Sequence, residues 1–523
     1  MAAQERNYRL TVQLLRSVKR RLREVLGPDD EELASYYRSY KGELAKVRTS
    51  PSSREEFAAA AVRSKVTLVG DFHTLEHAQR TFLFLLQDAE KKKCRPILGL
   101  EMVNAKFNAP LNRFVKGRIG EGEFLEEIRY FETWGFDFAH YKPILDHARH
   151  LKLAVHGLNT GGPLAERDHF MAHRIRHGLN EYPGQPIFIL VGDLHVASEH
   201  LPRELDELGI TPVVLFQNSE QVYLKKLKRG LEPVGFWRIG KSKFLSNNTA
   251  PQVKMQGYLT WLEHGGEALC QMYGYTGLSE AEGEIELSDT VIRYASALQD
   301  LFGLRGPLPS DFQVYQGASL SFLEDEYFSS GPGKRYATLV RDARSAFVLK
   351  GRILYVPLLD LNRTVEETTH LLMDVWLPTG RGLGAFLSRV HYFAGGFLGS
   401  KLLNPTRPAP TAHEMRRYID AYERMKEGKD KGKLSREARV YEGALAFLRL
   451  LKCDEPVERR ALSPILKADW NLVYEVSRAV GYSLAQRLYE LYNAGDLSAL
   501  DLRRYVFEQA NAFYLLGVHF RVA

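Results

Sequence analysis

Short apolar runs alternate with longer amphipathic segments from residue 54 to about residue 225. The five apolar runs span 65–70, 96–102, 151–157, 186–192 and 211–216. Apolar runs of this length, bounded by turn residues, predict strands that are buried on both faces. The amphipathic segments predict helices at 75–91, 121–131, 141–150, 163–180 and 198–208. Strands that alternate with such helices predict an α/β fold, in which helices flank a parallel-rich sheet. The order of the strands in the sheet does not follow from this local pattern.

The rest of the chain has a different periodicity. In residues 7–48, apolar positions such as Leu10, Leu14 and Val18 recur at helical spacing. From residue 284 the pattern is mainly helical, with a strand-like interruption at 346–361. We therefore predict four parts: a helical segment, an α/β domain, a connecting segment and a mainly helical C-terminal domain without an assigned role. Their bounds are 1–53, 54–225, 226–283 and 284–523.

Composition narrows the class of protein. Of the 523 residues, 45% are hydrophobic and 26% are charged, which is typical of a soluble globular chain. The net charge of +7 permits an anionic ligand but does not require nucleic acid, and we expect none. Cys94, Cys270 and Cys453 are far apart, which argues against a disulfide framework. We see no signal peptide, lipobox-like cysteine or long apolar segment, and we expect a cytoplasmic protein without a membrane span.

One short pattern occurs twice, and it is the main indication of function. Residues 66–73 read VTLVGDFH, and residues 188–195 read FILVGDLH. In each copy a predicted strand ends in Gly-Asp and is followed by a histidine, His73 or His195. Ligands of open α/β sheets bind beyond the carboxyl ends of the strands. The sequence therefore predicts that both imidazoles lie at one edge of the sheet.

Other charged residues are predicted to join these histidines. Glu101 ends a predicted buried strand, where a carboxylate is costly unless it is paired, and Arg167 with Asp168 begins a predicted helix. Two imidazoles and a carboxylate suit a divalent transition metal, with His73, Glu101 and His195 as ligands. A metal-free alternative uses one histidine as the general base on water, Glu101 to orient it and Arg167 to hold an oxyanion.

Several neighbouring candidates have ordinary structural explanations. Asp71 and Asp193 are interpreted as turn or cap residues, since Gly-Asp before a helix is common capping chemistry. We interpret His156, in a predicted strand, as structural. In the C-terminal half, Glu366 and His370 are four residues apart, but two candidate ligands alone are weak evidence for a metal.

These motifs resemble those of the ChaN-like haem-binding family, within the superfamily that includes erythromycin esterase and the Tiki metalloproteases. The resemblance covers about residues 55–225. It rests on four motifs in order, which are Gly70–His73, Leu100-Glu101-Met102, Arg167–Ala172 and Gly192–His195. Tyr141, two residues before Pro143, also falls where the family carries Tyr-x-Pro.

The resemblance implies a pocket at the strand ends that contains His73, Glu101, Arg167 and His195. It leaves three hypotheses open. The first is a hydrolase of an ester, amide or peptide bond, acting on a small molecule or peptide with or without a metal. The second is a haem- or iron-binding protein, with Tyr141 or a histidine as axial ligand. The third is a scaffold with a decayed site, against which the intact motifs argue.

Overall fold

The computed structural model describes ten stretches of the chain, which are 3–27, 30–262, 288–316, 321–341, 345–348, 352–356, 361–375, 377–380, 382–408 and 470–508. The chain divides into two compact units. The first comprises Val12–Gly283, and the second comprises Met1–Thr11 together with Glu284–Ala523.

The first unit is built on an eight-stranded sheet. Its strands are β1 (Ser50–Pro51), β2 (Val66–Asp71), β3 (Ile97–Asn104), β4 (Val155–Asn159), β5 (Ile187–Gly192), β6 (Val213–Gln217), β7 (Gly235–Arg238) and β8 (Lys243–Asn247). The order across the sheet is β1-β7-β8-β6-β2-β5-β3-β4. The six strands from β8 to β4 in this order pair in parallel, and β7 pairs antiparallel with β8 and β1. The predicted parallel-rich α/β fold is confirmed.

The strands are apolar throughout because both faces of the sheet are covered. Along β5, Phe188 and Leu190 pack into one hydrophobic core, while Ile189 and Val191 pack into the core on the opposite face. Alternate side chains of a strand point to opposite faces, so burial on both faces requires a continuous apolar run. The predicted α/β region, 54–225, contains five of the eight strands, and the others lie outside these bounds.

Helices connect the strands of this unit and flank the sheet. Their bounds are Glu31–Lys46, Arg54–Arg63, Glu76–Lys91, Asn108–Val115, Glu121–Glu127, Tyr130–Thr133, Lys142–Leu151, Leu164–Glu181, Leu201–Glu207, Glu220–Lys228 and Pro251–Thr260. The helix Ala3–Leu26 belongs to this unit from Val12 onward. The helix predicted at 121–131 is interrupted, because Arg129 has a left-handed φ of 50°. A regular helix cannot continue through that conformation.

The second unit is mainly helical, as predicted. Its described helices are Ser288–Phe302, Gly331–Arg341, Leu361–Met373, Leu383–Leu403, Trp470–Ala494 and Ala499–Phe507. Three short strands, β9 (Gln313–Gln316), β10 (Ala346–Val348) and β11 (Ile353–Val356), form a small sheet in the order β10-β11-β9. Glycine permits close helix packing here, since a Cβ on Gly396 would lie 2.6 Å from Nε2 of His370.

No helix in the described ranges is long and apolar enough to span a bilayer. Cys94 is a free, half-buried thiol. Cys270 and Cys453 lie outside the described residues.

Candidate functional site

The sheet order brings three of the predicted site residues together. Strand β5 lies between β2 and β3, with Asp71 opposite Gly192 in the first pair and Leu100 opposite Leu190 in the second. A Cβ on Gly192 would lie 3.2 Å from Oε2 of Glu101, 3.3 Å from Cδ2 of His195 and 3.5 Å from Cε1 of His73. The three side chains therefore surround the carboxyl end of β5, and a Cβ at this position would lie closer to Glu101 and His195 than ordinary van der Waals contact.

His73 is oriented by Asp71. The Nδ1 atom of His73 lies 3.0 Å from Oδ2 of Asp71, which also accepts a 2.8 Å hydrogen bond from the hydroxyl of Tyr141. Gln79 donates to the other oxygen of Asp71 at 2.5 Å. Burial lowers the pKa of His73, but the hydrogen bond and charge of Asp71 outweigh it, and the net pKa is raised. Asp71 thus positions an imidazole, where the sequence suggested a turn or cap residue.

His195 is held by a different carboxylate, that of Asp168. Its Nδ1 donates to Oδ1 of Asp168 at 2.5 Å, and the hydroxyl of Tyr36 donates to Oδ2 of Asp168 at 2.9 Å. The Nε2 atom of His195 lies 3.5 Å from Oε1 of Glu101. Burial lowers the pKa of His195, but the charges and hydrogen bonds of Glu101 and Asp168 raise it to about 9. His195 is therefore protonated at neutral pH.

Glu101 is the common anion of the site. Arg167 donates to its Oε1, and the backbone N–H of Gly192 donates to Oε2 at 2.5 Å. Burial raises the pKa of Glu101, but the charges of His195, Arg167 and His73 hold it well below its ordinary range. Glu101 is therefore ionised at neutral pH.

Solvent exposure distinguishes the side chains that a ligand can reach from the buried side chains that position them. The side chains of Glu101 and His195 are 3% and 5% exposed, whereas those of Arg167 and His73 are 20% and 23% exposed. No protein partner of the His73 Nε2 atom is found among the described residues. The functional groups that a ligand can reach are thus Nε2 of His73 and the guanidinium group of Arg167.

Aromatic side chains that the sequence analysis did not select surround His73. The ring centroids of Trp134 and Phe136 lie 4.4 Å and 4.8 Å from that of His73, and Phe136 stacks on Trp261 at 4.4 Å. The only sequence signal was a cluster of aromatic residues at 130–138. The wall they form can hold a flat or apolar part of a ligand.

Two further predicted residues have other roles. Asp193 lies in a turn, and its Oδ2 also forms a buried 2.7 Å ion pair with Nζ of Lys254. His156 lies in a different crevice, lined also by Arg174 and Glu181, and burial lowers its pKa. His156 therefore does not join the groups around Gly192.

The donor atoms do not fit the predicted metal. Within the described ranges, no group of three His, Cys, Asp or Glu side chains is placed to hold a metal ion. The lone pairs of Glu101 are directed to Arg167 and to the N–H of Gly192. The guanidinium group would also repel a cation at this position. In this structure His73, Glu101 and His195 belong to an ion-paired cluster, and their role as metal ligands stays a prediction.

Tyr141 does not fit the role of a haem ligand that the sequence suggested. It is 1% exposed, its hydroxyl donates to Asp71, and burial raises its pKa well above 10. A phenolate at this position is strongly disfavoured. In the second unit, His370 uses Nδ1 for Glu367 and Nε2 for the carbonyl of Tyr392, so neither nitrogen is available to pair with Glu366 on a metal.

Comparison with known protein families gives a match to one part of the chain. Residues 57–167 match the family model described as haem-binding uptake, Tiki superfamily, ChaN. Within these residues the chain is similar to that family. No curated protein and no solved structure gave a significant match to the chain.

The match confirms the resemblance inferred from the motifs. The matched residues include His73, Glu101, Tyr141 and Arg167, and His195 lies beyond them. Haem or another small molecule is the ligand class that the family description supports.

Proposed function

We propose that the site around Gly192 hydrolyses an ester, amide or peptide bond by activating water without a metal. The observation that carries the proposal is the pairing of each histidine with its own carboxylate, Asp71 or Asp168, at very different exposures. Titratable groups whose different environments shift their pKa values to different extents are typical of acid–base sites.

His73 is the general base. Its Nε2 removes a proton from water as the water oxygen attacks the carbonyl carbon of the substrate. The new C–O bond transfers the carbonyl electron pair to oxygen, and the guanidinium of Arg167 stabilises this oxyanion. When the oxyanion collapses, the bond to the leaving group breaks. His73 then returns its proton to the leaving oxygen or nitrogen.

The buried groups of the site position His73 and Arg167. The positive charge of His195 keeps Glu101 ionised, and Glu101 in turn holds Arg167 in place. Asp71 fixes the ring of His73 and leaves Nε2 for water. The aromatic wall of Trp134 and Phe136 excludes water from one side of the imidazole.

The second candidate function is haem binding, which the family description and the aromatic surroundings of His73 favour. His73 would hold the haem iron through Nε2, and Asp71 on its other nitrogen would increase the basicity of the imidazole. Bound haem would supply iron redox and ligand-binding chemistry. The flat macrocycle would pack against Trp134 and Phe136.

One set of variants of the full chain separates the two functions. We would assay wild type, His73→Gln, Arg167→Gln and the control His177→Gln against panels of chromogenic esters and fluorogenic peptides. His177 is on the same helix as Arg167, and its side chain is 65% exposed. Loss of the general base should lower kcat by about 10²–10⁴-fold in His73→Gln, whereas His177→Gln should retain the wild-type rate.

The pH profile provides a second readout. Because the pKa of His73 is raised, the hydrolytic rate should increase as the pH rises above 6.5 and His73 loses its proton. Turnover that survives in His73→Gln, or absence of turnover by wild type across both panels, would contradict the hydrolase. A Soret band on haem titration that is lost in His73→Gln and kept in His177→Gln would instead establish haem binding.

A further inference from the structure

The second unit contains a buried arginine that has no carboxylate partner in the described part of the chain. Arg389, on the helix Leu383–Leu403, is 1% exposed. Its Nη1 donates to the carbonyls of Pro378 and Gly380, each at 2.9 Å, and its Nε donates to Oγ of Ser477 at 3.4 Å. These neutral acceptors only partly replace water around a buried positive charge.

A second arginine lies near the first. Arg335, on the helix Gly331–Arg341, is half-buried, and the hydroxyl of its neighbour Tyr336 donates to the carbonyl of Leu377 at 3.0 Å. This bond fixes the helix beside the loop whose carbonyls accept from Arg389. Burial lowers the pKa of Arg389, and the charge of Arg335 lowers it further.

Two buried donors in this region have no acceptor among the described residues. They are Nη1 of Arg335 and Nε1 of Trp470, and the guanidinium of Arg335 lies 5.8 Å from the ring centroid of Trp470. Trp470 begins the helix that also carries Ser477. Unsatisfied buried donors are rare in proteins and require an explanation.

We propose that Arg335, Arg389 and the indole N–H of Trp470 bind a small oxyanion that carries a phosphate group. An anion would compensate the two guanidinium charges and accept from the two unsatisfied donors at once. Arginine presents parallel N–H groups that match the geometry of phosphate oxygens. Arg335 is the more exposed of the two arginines, so the anion enters from its side.

A purely structural role for Arg389 would account for only some of these contacts. Binding of the loop carbonyls explains Nη1 of Arg389, but it does not account for the unsatisfied N–H groups of Arg335 and Trp470. Two like charges near each other are unfavourable without an anion between them. The oxyanion explains both the pair and the unsatisfied N–H groups.

The test measures phosphate binding to the full chain by isothermal titration calorimetry and by thermal unfolding. Inorganic phosphate and glycerol 3-phosphate distinguish a free anion from the phosphoryl group of a larger molecule, and sodium chloride at matched ionic strength is the reference. Arg335→Gln removes one guanidinium group. Arg341→Gln is the matched control, because Arg341 is an exposed arginine on the same helix.

Phosphate or its ester should stabilise wild type and Arg341→Gln, and Arg335→Gln should weaken binding by about tenfold or more. Trp470→Phe keeps the aromatic packing and removes only the N–H, so it should also weaken binding. This variant tests the proposal even if Arg335→Gln does not fold by circular dichroism. Absence of binding to wild type, or equal binding by wild type, Arg335→Gln and Trp470→Phe, would overturn the proposal.

Discussion

The protonation of His195 has a consequence for stability that does not depend on the function. The pKa of His195 is about 9 in the folded chain, against its ordinary value of 6.5. A raised folded-state pKa contributes stability that is fully present below pH 6.5 and is lost as the pH rises through 9. Since one pKa unit corresponds to about 1.4 kcal/mol, the contribution of this group is roughly 3 kcal/mol.

Replacing Asp168 tests this calculation. Asp168→Asn keeps the size of the side chain and an oxygen acceptor for Tyr36, but it removes one of the two carboxylates that raise the pKa of His195. Glu101 remains, so the pKa should fall only part of the way to 6.5. The stability advantage of wild type over Asp168→Asn should therefore shrink by about 1–2 kcal/mol between pH 6.5 and pH 9.

The assay is urea unfolding of the full chain, followed by circular dichroism at several pH values from 6.5 to 9.5. Comparing wild type with the variant at each pH cancels the contributions of titrating groups that Asp168 does not influence. Burial is the main influence on the pKa values of Tyr36 and His200, but the charge of Asp168 also acts to raise both, so these two groups do not cancel. Asp206→Asn, which changes an exposed carboxylate on the helix Leu201–Glu207, should show no such trend. A difference between wild type and Asp168→Asn that stays constant or widens with pH would refute the argument for a protonated His195.

Two further substitutions test the packing and charge pairing of the site. In Gly192→Ala the new Cβ would lie 3.2 Å from Oε2 of Glu101, so urea unfolding should show a loss of roughly 1–3 kcal/mol and assays a lower kcat. Gly122→Ala, which meets nothing within 4 Å, should lose neither, and equal effects of the two would contradict the crowding argument. Lys254→Met leaves Asp193 buried without its cation, and thermal or urea unfolding should show a loss of about 3 kcal/mol. The double variant with Asp193→Asn should recover most of that loss, and failure to recover would assign the cost to packing.

The sequence alone predicted five of the eight strands of the large sheet and the fold class, and it offered both histidines as residues of one sheet edge. Each of the five predicted strands is present, with ends shifted by a few residues, such as β4 at Val155–Asn159 against 151–157. The strands can be predicted locally, because a strand that is buried on both faces must be apolar along its whole length. Because parallel strands run in the same direction, residues that follow their carboxyl ends are expected at one edge of the sheet, where ligands bind.

The tertiary structure decided which residues meet and what chemistry they share. Tyr36 contacts Asp168 across 132 positions of sequence, and Trp134 reaches His73 from a loop that carries no motif. The sequence offered Glu101 as a metal ligand or as an orienting carboxylate, and Arg167 as the group that holds an oxyanion. Their ion pair became visible only in the fold. Strand order and side-chain pairing depend on contacts between distant segments. Local periodicity carries no information about such contacts, so the sequence predicted the participants but not their pairing.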